Sequence, residues 1–293
     1  GELYSKKVLS TPDDYSRAIE EGVADLMRGA GVAGSQIVEF AHGTTIATNA
    51  IIERRGATAA LITTRGFRDV LELGRFRSPR LYDLKFRKPE PLIERRLRFE
   101  VTERCDAQGN ILEPLDEREL GVIADAIERG NVQAIAVCFI NAHVNPANET
   151  AAVRFLAARL PSMSVSASTQ LVPQIGEYER TSTTVVNAYL RPVVEHYVTS
   201  LSRRLGTLKI IAPLMIMQSS GGVMGLSDAA QHAAHTVLSG PAGGLVGAAA
   251  VARVHGAPLA LAFDMGGTSC DVALIENGEP VRAHGRHVAE KDV

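Results

Sequence analysis

The sequence has few of the residues that mark secreted, zinc-binding or membrane-spanning proteins. It contains no tryptophan, 5% aromatic residues and only three cysteines, Cys105, Cys138 and Cys270. Their odd number and wide separation fit neither a disulfide framework nor a zinc-binding spacing, and they suit a reducing compartment. No apolar run approaches the ~18 residues of a membrane span, and no signal peptide is visible. We therefore expect a cytoplasmic protein that has no membrane partner.

The chain also lacks an excess of charge of either sign. Its 31 basic and 33 acidic residues leave a formal net charge of −2, so no global field attracts nucleic acid or an anionic membrane. The segment from Gly74 to about Pro114 is rich in arginine, but acidic residues are interspersed, whereas a nucleic-acid site would need a basic domain. We predict a solvated insertion at about residues 75–115, or a contact face for a partner subunit, and no nucleic-acid partner.

Hydrophobic residues make up 45% of the chain, which is enough to bury a substantial core. Short apolar runs, such as Ala59 to Thr63 and Val132 to Ile140, alternate with stretches of helical spacing, such as Leu120 to Arg129. This alternation predicts an α/β fold with a largely parallel or mixed sheet, and the length favours two lobes.

Local residue types predict further elements. These are a strand at residues 3–10, a hairpin of residues 97–103 and 111–115, a helix ending at Leu190 and a separate helix at residues 193–205 after Pro192. Ser239 is predicted to cap the helix ending near Val254, because serine side chains accept N–H bonds at helix starts. The dipeptide Asn277-Gly278 predicts a tight hairpin turn.

The stretch from Leu259 to Val281 carries the clearest chemical signal. A wholly apolar run ends at Asp264, a glycine turn follows, and a second strand begins near Asp271. The residues of the turn are Gly266, Gly267 and Thr268. Adjacent glycines allow N–H groups to converge on an anion, but two carboxylates would repel a phosphate unless a divalent cation lay between them. The pattern predicts a phosphate site in which Asp264 and Asp271 hold Mg²⁺, with an ordinary glycine turn as the alternative.

Two other segments could present groups to an anion. A strand-to-helix junction rich in glycine and threonine exposes N–H groups and hydroxyls, and its residues are His42, Gly43, Thr44 and Thr45. The threonines could instead simply cap the following helix, and His42 could hydrogen-bond within its own lobe. The second segment is a helix start that contains Gly240, Gly243 and Gly244, where the free N–H groups favour an anion.

The D-x-G-G-T-x-x-D hairpin resembles the phosphate-binding turn of the actin, sugar-kinase and heat-shock chaperone superfamily. Four further runs narrow the resemblance. They are AHGTTIATNAIIERRGATAALITTRGFRDVLELGR (Ala41 to Arg75), YERTSTTVVNAYL (Tyr178 to Leu190), MQSSGGV (Met217 to Val223) and LSGPAGGLVGA (Leu238 to Ala248). Together they resemble the ATP-dependent hydantoinase A/5-oxoprolinase family, which includes the ATP-binding subunits of acetone and acetophenone carboxylases.

The resemblance implies a two-lobed actin-like ATPase fold of the ribonuclease H-like type, incomplete at both ends. It implies an N-terminal lobe at residues 1–190 and the start of a second, ATP-binding lobe at residues 191–293. Members of the family carry an earlier D-x-G-G-T turn and a longer C-terminal part, so we expect this central segment alone to show little turnover. Cys270 stands where relatives commonly have threonine, which weakens any role for a side-chain hydroxyl there.

The resemblance also implies a function, with ATP and Mg²⁺ as cofactors. The family members phosphorylate the carbonyl of a cyclic amide before hydrolysis, and a second, hydantoinase B-type subunit or domain and an oligomeric assembly are expected. Implied nucleotide contacts include Ser220, Gly221 and Gly222, and Glu179 and Arg180 are candidate substrate contacts. The alternatives are an ATP-dependent ketone carboxylase subunit, a small-molecule kinase and a non-enzymatic nucleotide-gated module. The sequence does not select a particular lactam, imide or ketone.

Overall fold

The computed structural model describes residues 2–11, 14–75, 85, 88–265, 270–281, 287–288 and 291–292. The chain forms two compact units. Unit 1 comprises Gly1–Ala47, Val193–Gln231 and His235–Arg282, and unit 2 comprises Thr48–Pro192, His232–Ala234 and Ala283–Val293. The predicted lobes at residues 1–190 and 191–293 are consecutive stretches of sequence, and that division stays a prediction. Within the described ranges, no helix is both long and apolar enough to cross a membrane.

Helices and strands alternate along most of the chain. The helices are α1 (Tyr15–Ala30), α2 (Ile46–Ile52), α3 (Val70–Leu73), α4 (Glu117–Arg129), α5 (Ala147–Arg159), α6 (Ser168–Leu171), α7 (Glu177–Thr207), α8 (Leu226–Gln231) and α9 (Ser239–Val254). The strands are β1 (Phe40–His42), β2 (Ala59–Thr64), β3 (Arg98–Val101), β4 (Arg104–Cys105), β5 (Ile111–Glu113), β6 (Ala134–Cys138), β7 (Ser164–Ala167), β8 (Leu214–Met217), β9 (Val223–Gly225), β10 (Leu259–Met265), β11 (Cys270–Glu276), β12 (Glu279–Pro280), β13 (His287–Val288) and β14 (Lys291–Asp292).

Unit 2 is built on a parallel sheet with the strand order β3-β2-β6-β7. Every residue of β2 and β6 is buried, as expected for strands covered on both faces. Apolar residues of α4, α5 and the first half of α7 pack against these strands to form the main core. The predicted strands at Ala59–Thr63 and within Val132–Ile140 are therefore confirmed.

Unit 1 contains two smaller sheets. In one, β1 pairs in parallel with β8, which pairs antiparallel with β9. In the other, β10, β11 and β12 form an antiparallel meander. Asn277 and Gly278 have φ angles of 51° and 78° between β11 and β12. Positive φ at both central residues is the signature of the tight turn that the dipeptide predicted.

Two predicted strands in the first half of the chain differ from the structure. Residues 3–10 form no strand, and Leu3 and Leu9 are more than 90% exposed, so the apolar pattern there has neither a sheet partner nor a core to join. The predicted hairpin strand at 97–103 is divided between two sheets. Arg98–Val101 pairs in parallel with β2, and only Arg104–Cys105 pairs with β5. The predicted insertion thus contributes an edge strand to the main sheet from Arg98 onward.

The predicted break at Pro192 is also wrong, because α7 is one helix that contains this proline. An internal proline removes one backbone hydrogen bond and costs about 3 kcal/mol. Leu190 and Val194, on either side of it, are buried, as is Leu201 further along. Burial of such side chains contributes about 1.5–3 kcal/mol each, which offsets the cost of the proline.

Candidate functional site

The β10–β11 hairpin of unit 1 brings the two predicted carboxylates together. Asp264 is the register partner of Asp271, next to the pair Phe263 and Val272. Directly opposed residues of an antiparallel pair project from the same face, with Cβ atoms about 4.5–5.5 Å apart. Asp264 is exposed and Asp271 is partly exposed, so both can reach a ligand in solvent.

This carboxylate pair fits Mg²⁺, which takes oxygen ligands and is often held by one or two carboxylates together with water. In the part of the chain that the structure describes, no group of three or more histidine, cysteine, aspartate or glutamate side chains could hold a metal. The predicted phosphate turn of Gly266, Gly267 and Thr268 lies outside the described residues. The catalytic and metal-binding roles of Asp264 and Asp271 therefore stay predictions.

Helix α9 lies on the same face of the hairpin as the carboxylates. Ala260 and Ala262 pack against α9, and Asp264 follows them with the two-residue period of a strand. The short connection at residues 255–258 makes β10 run antiparallel to α9, so Asp264 lies towards the N-terminal end of the helix. The predicted glycines Gly240, Gly243 and Gly244 occupy that end, where helical N–H groups lack internal partners.

The loop of His42 to Thr45 is hydrogen-bonded to the start of α9. The hydroxyl of Ser239 donates to the carbonyl oxygen of Thr44 at 2.9 Å and accepts the N–H of Thr44 at 3.3 Å. A Cβ atom on Gly43 would lie 3.6 Å from the Cα of Gly240, which shows how closely the two segments approach. Ser239 is fully buried. The prediction that Ser239 caps α9 is wrong, because Leu238 precedes the helix and the serine hydroxyl binds Thr44.

The hydroxyl of Thr44 in this loop caps the N-terminus of the following helix, α2. The Oγ1 of Thr44 accepts the N–H of Ile46, the first residue of α2, at 3.2 Å. This contact is the helix-capping alternative, and it leaves the predicted substrate or anion contacts of Gly43, Thr44 and Thr45 as predictions.

The turn between β8 and β9 borders α9 as well. The N–H of Gly221 donates to the carbonyl oxygen of Gln218 at 3.0 Å, and Gly221 has a φ of 84°. A Cβ atom there would lie 3.1 Å from the Cγ2 of Val246 on α9. The hydroxyl of Ser220 is within 3.1 Å of the side-chain oxygen of Gln218. Unit 1 therefore brings the turn containing Ser220, Gly221 and Gly222 to the same helix as the His42 loop and the carboxylate hairpin.

His42 has a buried partner that sequence reasoning missed. Its Nε2 lies 2.6 Å from the phenol oxygen of Tyr197 on α7. Burial lowers the pKa of His42 to about 4 and raises the pKa of Tyr197 to about 12. Both side chains are therefore neutral near pH 7. Tyr197 lies within the mixed sequence VVEHYVTS of α7, which contains no recognised motif, so nothing in the local sequence marked it.

Glu179 and Arg180 belong to unit 2 and have different surroundings there. Glu179 pairs with Arg75 at 2.6 Å near the surface. Partial burial is the largest influence on Glu179 and raises its pKa, but the hydrogen bond and charge of Arg75 together with a backbone hydrogen bond outweigh it, so the pKa is lowered overall. Arg180 is fully buried and donates to the Oγ of Ser168 at 3.0 Å and to the carbonyl oxygen of Phe139 at 2.6 Å. Their roles as substrate contacts stay predictions.

A second buried charge, Glu149, lies beside Arg180 and was not selected from the sequence. It accepts the N–H of Phe139 at 3.0 Å, the hydroxyl of Ser168 at 2.9 Å and the N–H of Thr169 at 2.8 Å. Glu149 and Arg180 thus hold the two backbone groups of Phe139, just after β6 ends. A buried carboxylate is stable only when it is hydrogen-bonded and compensated, as it is here.

A neighbouring carboxyl group, Glu103, links the carboxyl end of β2 to the start of α5. It accepts hydrogen bonds from Thr64 and from Asn148, the latter at 2.9 Å. Burial raises the pKa of Glu103 above its usual range, and these hydrogen bonds counteract part of the shift. The edge of the sheet where α/β proteins often bind ligands is therefore occupied here by the chain's own polar side chains.

Comparison with protein families assigns nearly the whole chain. The model of the hydantoinase/oxoprolinase N-terminal region matches residues 1–160, and the model of hydantoinase/oxoprolinase matches residues 180–293. An uncharacterised protein of Methanocaldococcus jannaschii is 37% identical over 96% of this chain and 41% of its own length. Caprolactamase subunit alpha of Pseudomonas jessenii is 34% identical over 95% of this chain and 41% of its own length.

Two solved structures share the fold. The ATP-dependent caprolactamase of Pseudomonas jessenii matches with a TM-score of 0.85 and 34% identity, over 94% of this chain and 40% of its own. Acetone carboxylase in a nucleotide-free structure matches with a TM-score of 0.85 and 25% identity, over 97% of this chain and 42% of its own. These likenesses confirm the predicted α/β fold of the actin-like ATPase type. The chain spans about two fifths of the length of the Methanocaldococcus and Pseudomonas relatives.

Proposed function

The chain belongs to the hydantoinase/oxoprolinase family, and we propose that it is the ATP-binding part of an enzyme that hydrolyses a cyclic amide. The similarity to caprolactamase subunit alpha carries this proposal, because it covers 95% of the chain and that relative is named for its action on a lactam. The opposed carboxylates Asp264 and Asp271 in unit 1 add a chemical reason, since they suit a metal-bound triphosphate.

ATP would solve a specific chemical problem for such an enzyme. The carbonyl carbon of a lactam or imide is a poor electrophile, because the ring nitrogen donates electron density to it. Transfer of the γ-phosphoryl group of ATP to the carbonyl oxygen forms an O–P bond and releases ADP. Water can then attack the carbon, and cleavage of the ring C–N bond releases the amine and leaves an acyl phosphate. A second water hydrolyses that acyl phosphate to the acid and free phosphate. Phosphoryl transfer depends mainly on alignment and charge neutralisation. The protein therefore acts chiefly by binding and orienting ATP, the metal ion and the substrate, and forms no covalent bond to them.

Unit 1 would supply most of the residues that bind the metal ion and the nucleotide. Asp264 and Asp271 would hold Mg²⁺ directly or through water, and the bound ion would neutralise charge on the phosphates. The proposed nucleotide contacts are Ser220, Gly221, Gly222, Gly240, Gly243, Gly244, Gly266, Gly267 and Thr268. The proposed substrate or anion contacts are His42, Gly43, Thr44, Thr45, Glu179 and Arg180.

A ketone carboxylase is the second candidate. The structure of acetone carboxylase matches this chain with the same TM-score of 0.85 as caprolactamase, although its sequence identity is lower, 25% against 34%. In that chemistry bicarbonate, rather than water, would take part after ATP has activated the substrate. The higher identity to the caprolactamase favours the hydrolase.

The proposal includes a partner and a compartment. The relative is named as an alpha subunit, which supports a second, hydantoinase B-type subunit or domain and an oligomeric assembly here. Cys105 and Cys138 are buried, Cys270 is exposed, and all three are unpaired. Free thiols are typical of reducing compartments, which supports a cytoplasmic location.

The test is an ATP-turnover screen of the purified protein with its neighbouring subunit, against a panel of lactams, imides and ketones. Phosphate release stimulated by a cyclic amide, together with the ring-opened acid as product, would support the hydrolase. A carboxylated ketone would favour the second candidate, and a stable phosphoester would favour a kinase. ATP hydrolysis that no member of the panel stimulates would contradict both enzymatic proposals.

A further inference from the structure

The loop from His42 to Thr45 rests on a residue of unit 1 that neither motif reasoning nor the proposed function assigns. Tyr197 is only 6% exposed, and its phenol oxygen is 2.6 Å from the Nε2 of His42. The two rings are tilted by 45°, with centroids 5.8 Å apart, so the contact is a hydrogen bond at the ring edge and not a stack. The hydroxyl of Thr44 hydrogen-bonds the same phenol oxygen.

A chain of hydrogen bonds in which each group donates to the next satisfies all of these contacts. The N–H of Ile46 donates to the Oγ1 of Thr44 at 3.2 Å, so the threonine hydroxyl keeps its hydrogen for another acceptor. In that chain the Thr44 hydroxyl donates to the phenol oxygen of Tyr197, and the phenol donates its own hydrogen to the Nε2 of His42, which lies 2.6 Å away. Each member donates to the next, which is the arrangement in which neighbouring hydrogen bonds strengthen one another.

We propose that Tyr197 is a positioning residue that fixes the tautomer of His42, so that the imidazole presents an Nδ1–H donor to an oxygen atom of the ligand. This inference rests on the proposed function, because it treats the His42 loop as part of the substrate or nucleotide site. A neutral imidazole carries one hydrogen, and a ring that accepts at Nε2 carries it at Nδ1. Among the residues that the structure describes, none hydrogen-bonds the Nδ1 of His42.

The low pKa of His42 supports the same arrangement, because a ring that stays neutral at pH 7 can keep a fixed tautomer. A neutral N–H donor suits an oxygen that gains negative charge during reaction, since no proton needs to move first. That oxygen could belong to a phosphoryl group of ATP or to the carbonyl of the cyclic amide. Loss of the Nδ1–H donor should raise the KM for ATP if the oxygen belongs to a phosphoryl group, and the KM for the amide if it belongs to the carbonyl.

The first test is nitrogen NMR of the purified protein labelled with ¹⁵N-histidine, with His42→Gln to assign the signal. At pH 7, we expect long-range ¹H–¹⁵N correlations to show the Nδ1–H tautomer. In Tyr197→Phe we expect a mixture of tautomers or a shift to Nε2–H. A charged ring, or an Nε2–H tautomer in the unmodified protein, would overturn the proposal. This arm needs no substrate, so it does not depend on whether the proposed function is correct.

The second test is kinetic, with the unmodified protein and its partner subunit as reference. Loss of one positioning hydrogen bond should lower kcat/KM roughly tenfold in Tyr197→Phe. Because Tyr197 acts through His42, the double variant with His42→Gln should be no slower than His42→Gln alone. A rise confined to the KM for ATP identifies a phosphoryl oxygen, and one confined to the KM for the amide identifies the carbonyl.

Tyr189→Phe is the matched control, since Tyr189 is on the same helix and is also 6% exposed. We expect its kinetic constants to stay within twofold of the reference. Additive losses in the double variant, or an equal loss in Tyr189→Phe, would reduce Tyr197 to a packing role and contradict the proposal.

Discussion

Replacement of Arg180 by methionine should destabilise unit 2 strongly, because it leaves Glu149 buried without a cationic neighbour. Both side chains are fully buried. Arg180 would lose its bonds to Ser168 at 3.0 Å and to Phe139 at 2.6 Å. Arg180 and Glu149 are linked through the hydroxyl of Ser168, and removing one member of a buried pair of charges costs up to about 3–5 kcal/mol. That is a large share of the ~5–15 kcal/mol by which folded proteins are stable.

Thermal unfolding followed by circular dichroism suits this chain, which has no tryptophan for fluorescence. Each kcal/mol lowers the Tm of a protein of this size by about 2–4 °C, so Arg180→Met should melt roughly 10 °C below the unmodified protein. Arg154→Met is the matched control, because Arg154 lies on α5 and is exposed. A surface change of this kind should alter stability by no more than about 0.5 kcal/mol.

A double variant separates lost charge compensation from lost packing. Glu149→Gln combined with Arg180→Met removes both charges, so it should recover part of the stability that Arg180→Met loses. An Arg180→Met protein that melts within 2 °C of the unmodified one would refute the reasoning. A double variant less stable than Arg180→Met alone would refute it as well.

Three further predictions concern stability and are checked by the same melting experiment. Ser239→Ala should cost about 1–3 kcal/mol, because it leaves the backbone of Thr44 without its buried partner; an unchanged Tm would contradict this. The pKa of His42 is lowered on folding, so stability should fall, by at most about 3 kcal/mol, as the pH drops from 6.5 to 4. His42→Gln should lack that component. Gly56→Ala should be strongly destabilising, because its Cβ would overlap the ring of Tyr189, whereas Gly206→Ala, with open space around it, should not.

The local features of the candidate site could be predicted from the sequence. The apolar run of residues 259–263, the glycine turn and the Asn277-Gly278 dipeptide are short-range signals that predict a hairpin, and the structure pairs Asp264 with Asp271 in it. The apolar runs of β2 and β6 likewise predict strands that are buried on both faces. In β2 and β6, local pattern and tertiary structure agree, whereas Leu259, Leu261 and Phe263 of β10 are more than 60% exposed although they are apolar.

The remaining features depend on contacts between distant parts of the chain. Tyr197 meets His42 across 155 residues, and Ser239 meets Thr44 across 195 residues, so no local pattern marks either pair. Burial on both sides of Pro192 outweighs the local preference for a break in α7. Arg180 has a charged side chain typical of a surface or a binding site, and only the fold shows that it compensates a buried carboxylate.

The affinity of the purified protein for Mg²⁺-ATP, measured by calorimetry, tests the central claim most directly. We expect Asp264→Asn to weaken binding by at least tenfold when Mg²⁺ is present and by much less when it is absent, because the carboxylate acts through the ion. Glu276→Gln is the control, since Glu276 is an exposed carboxylate on the same hairpin, and it should bind as the unmodified protein does. Equal affinity of the unmodified protein and Asp264→Asn in the presence of Mg²⁺ would contradict the account.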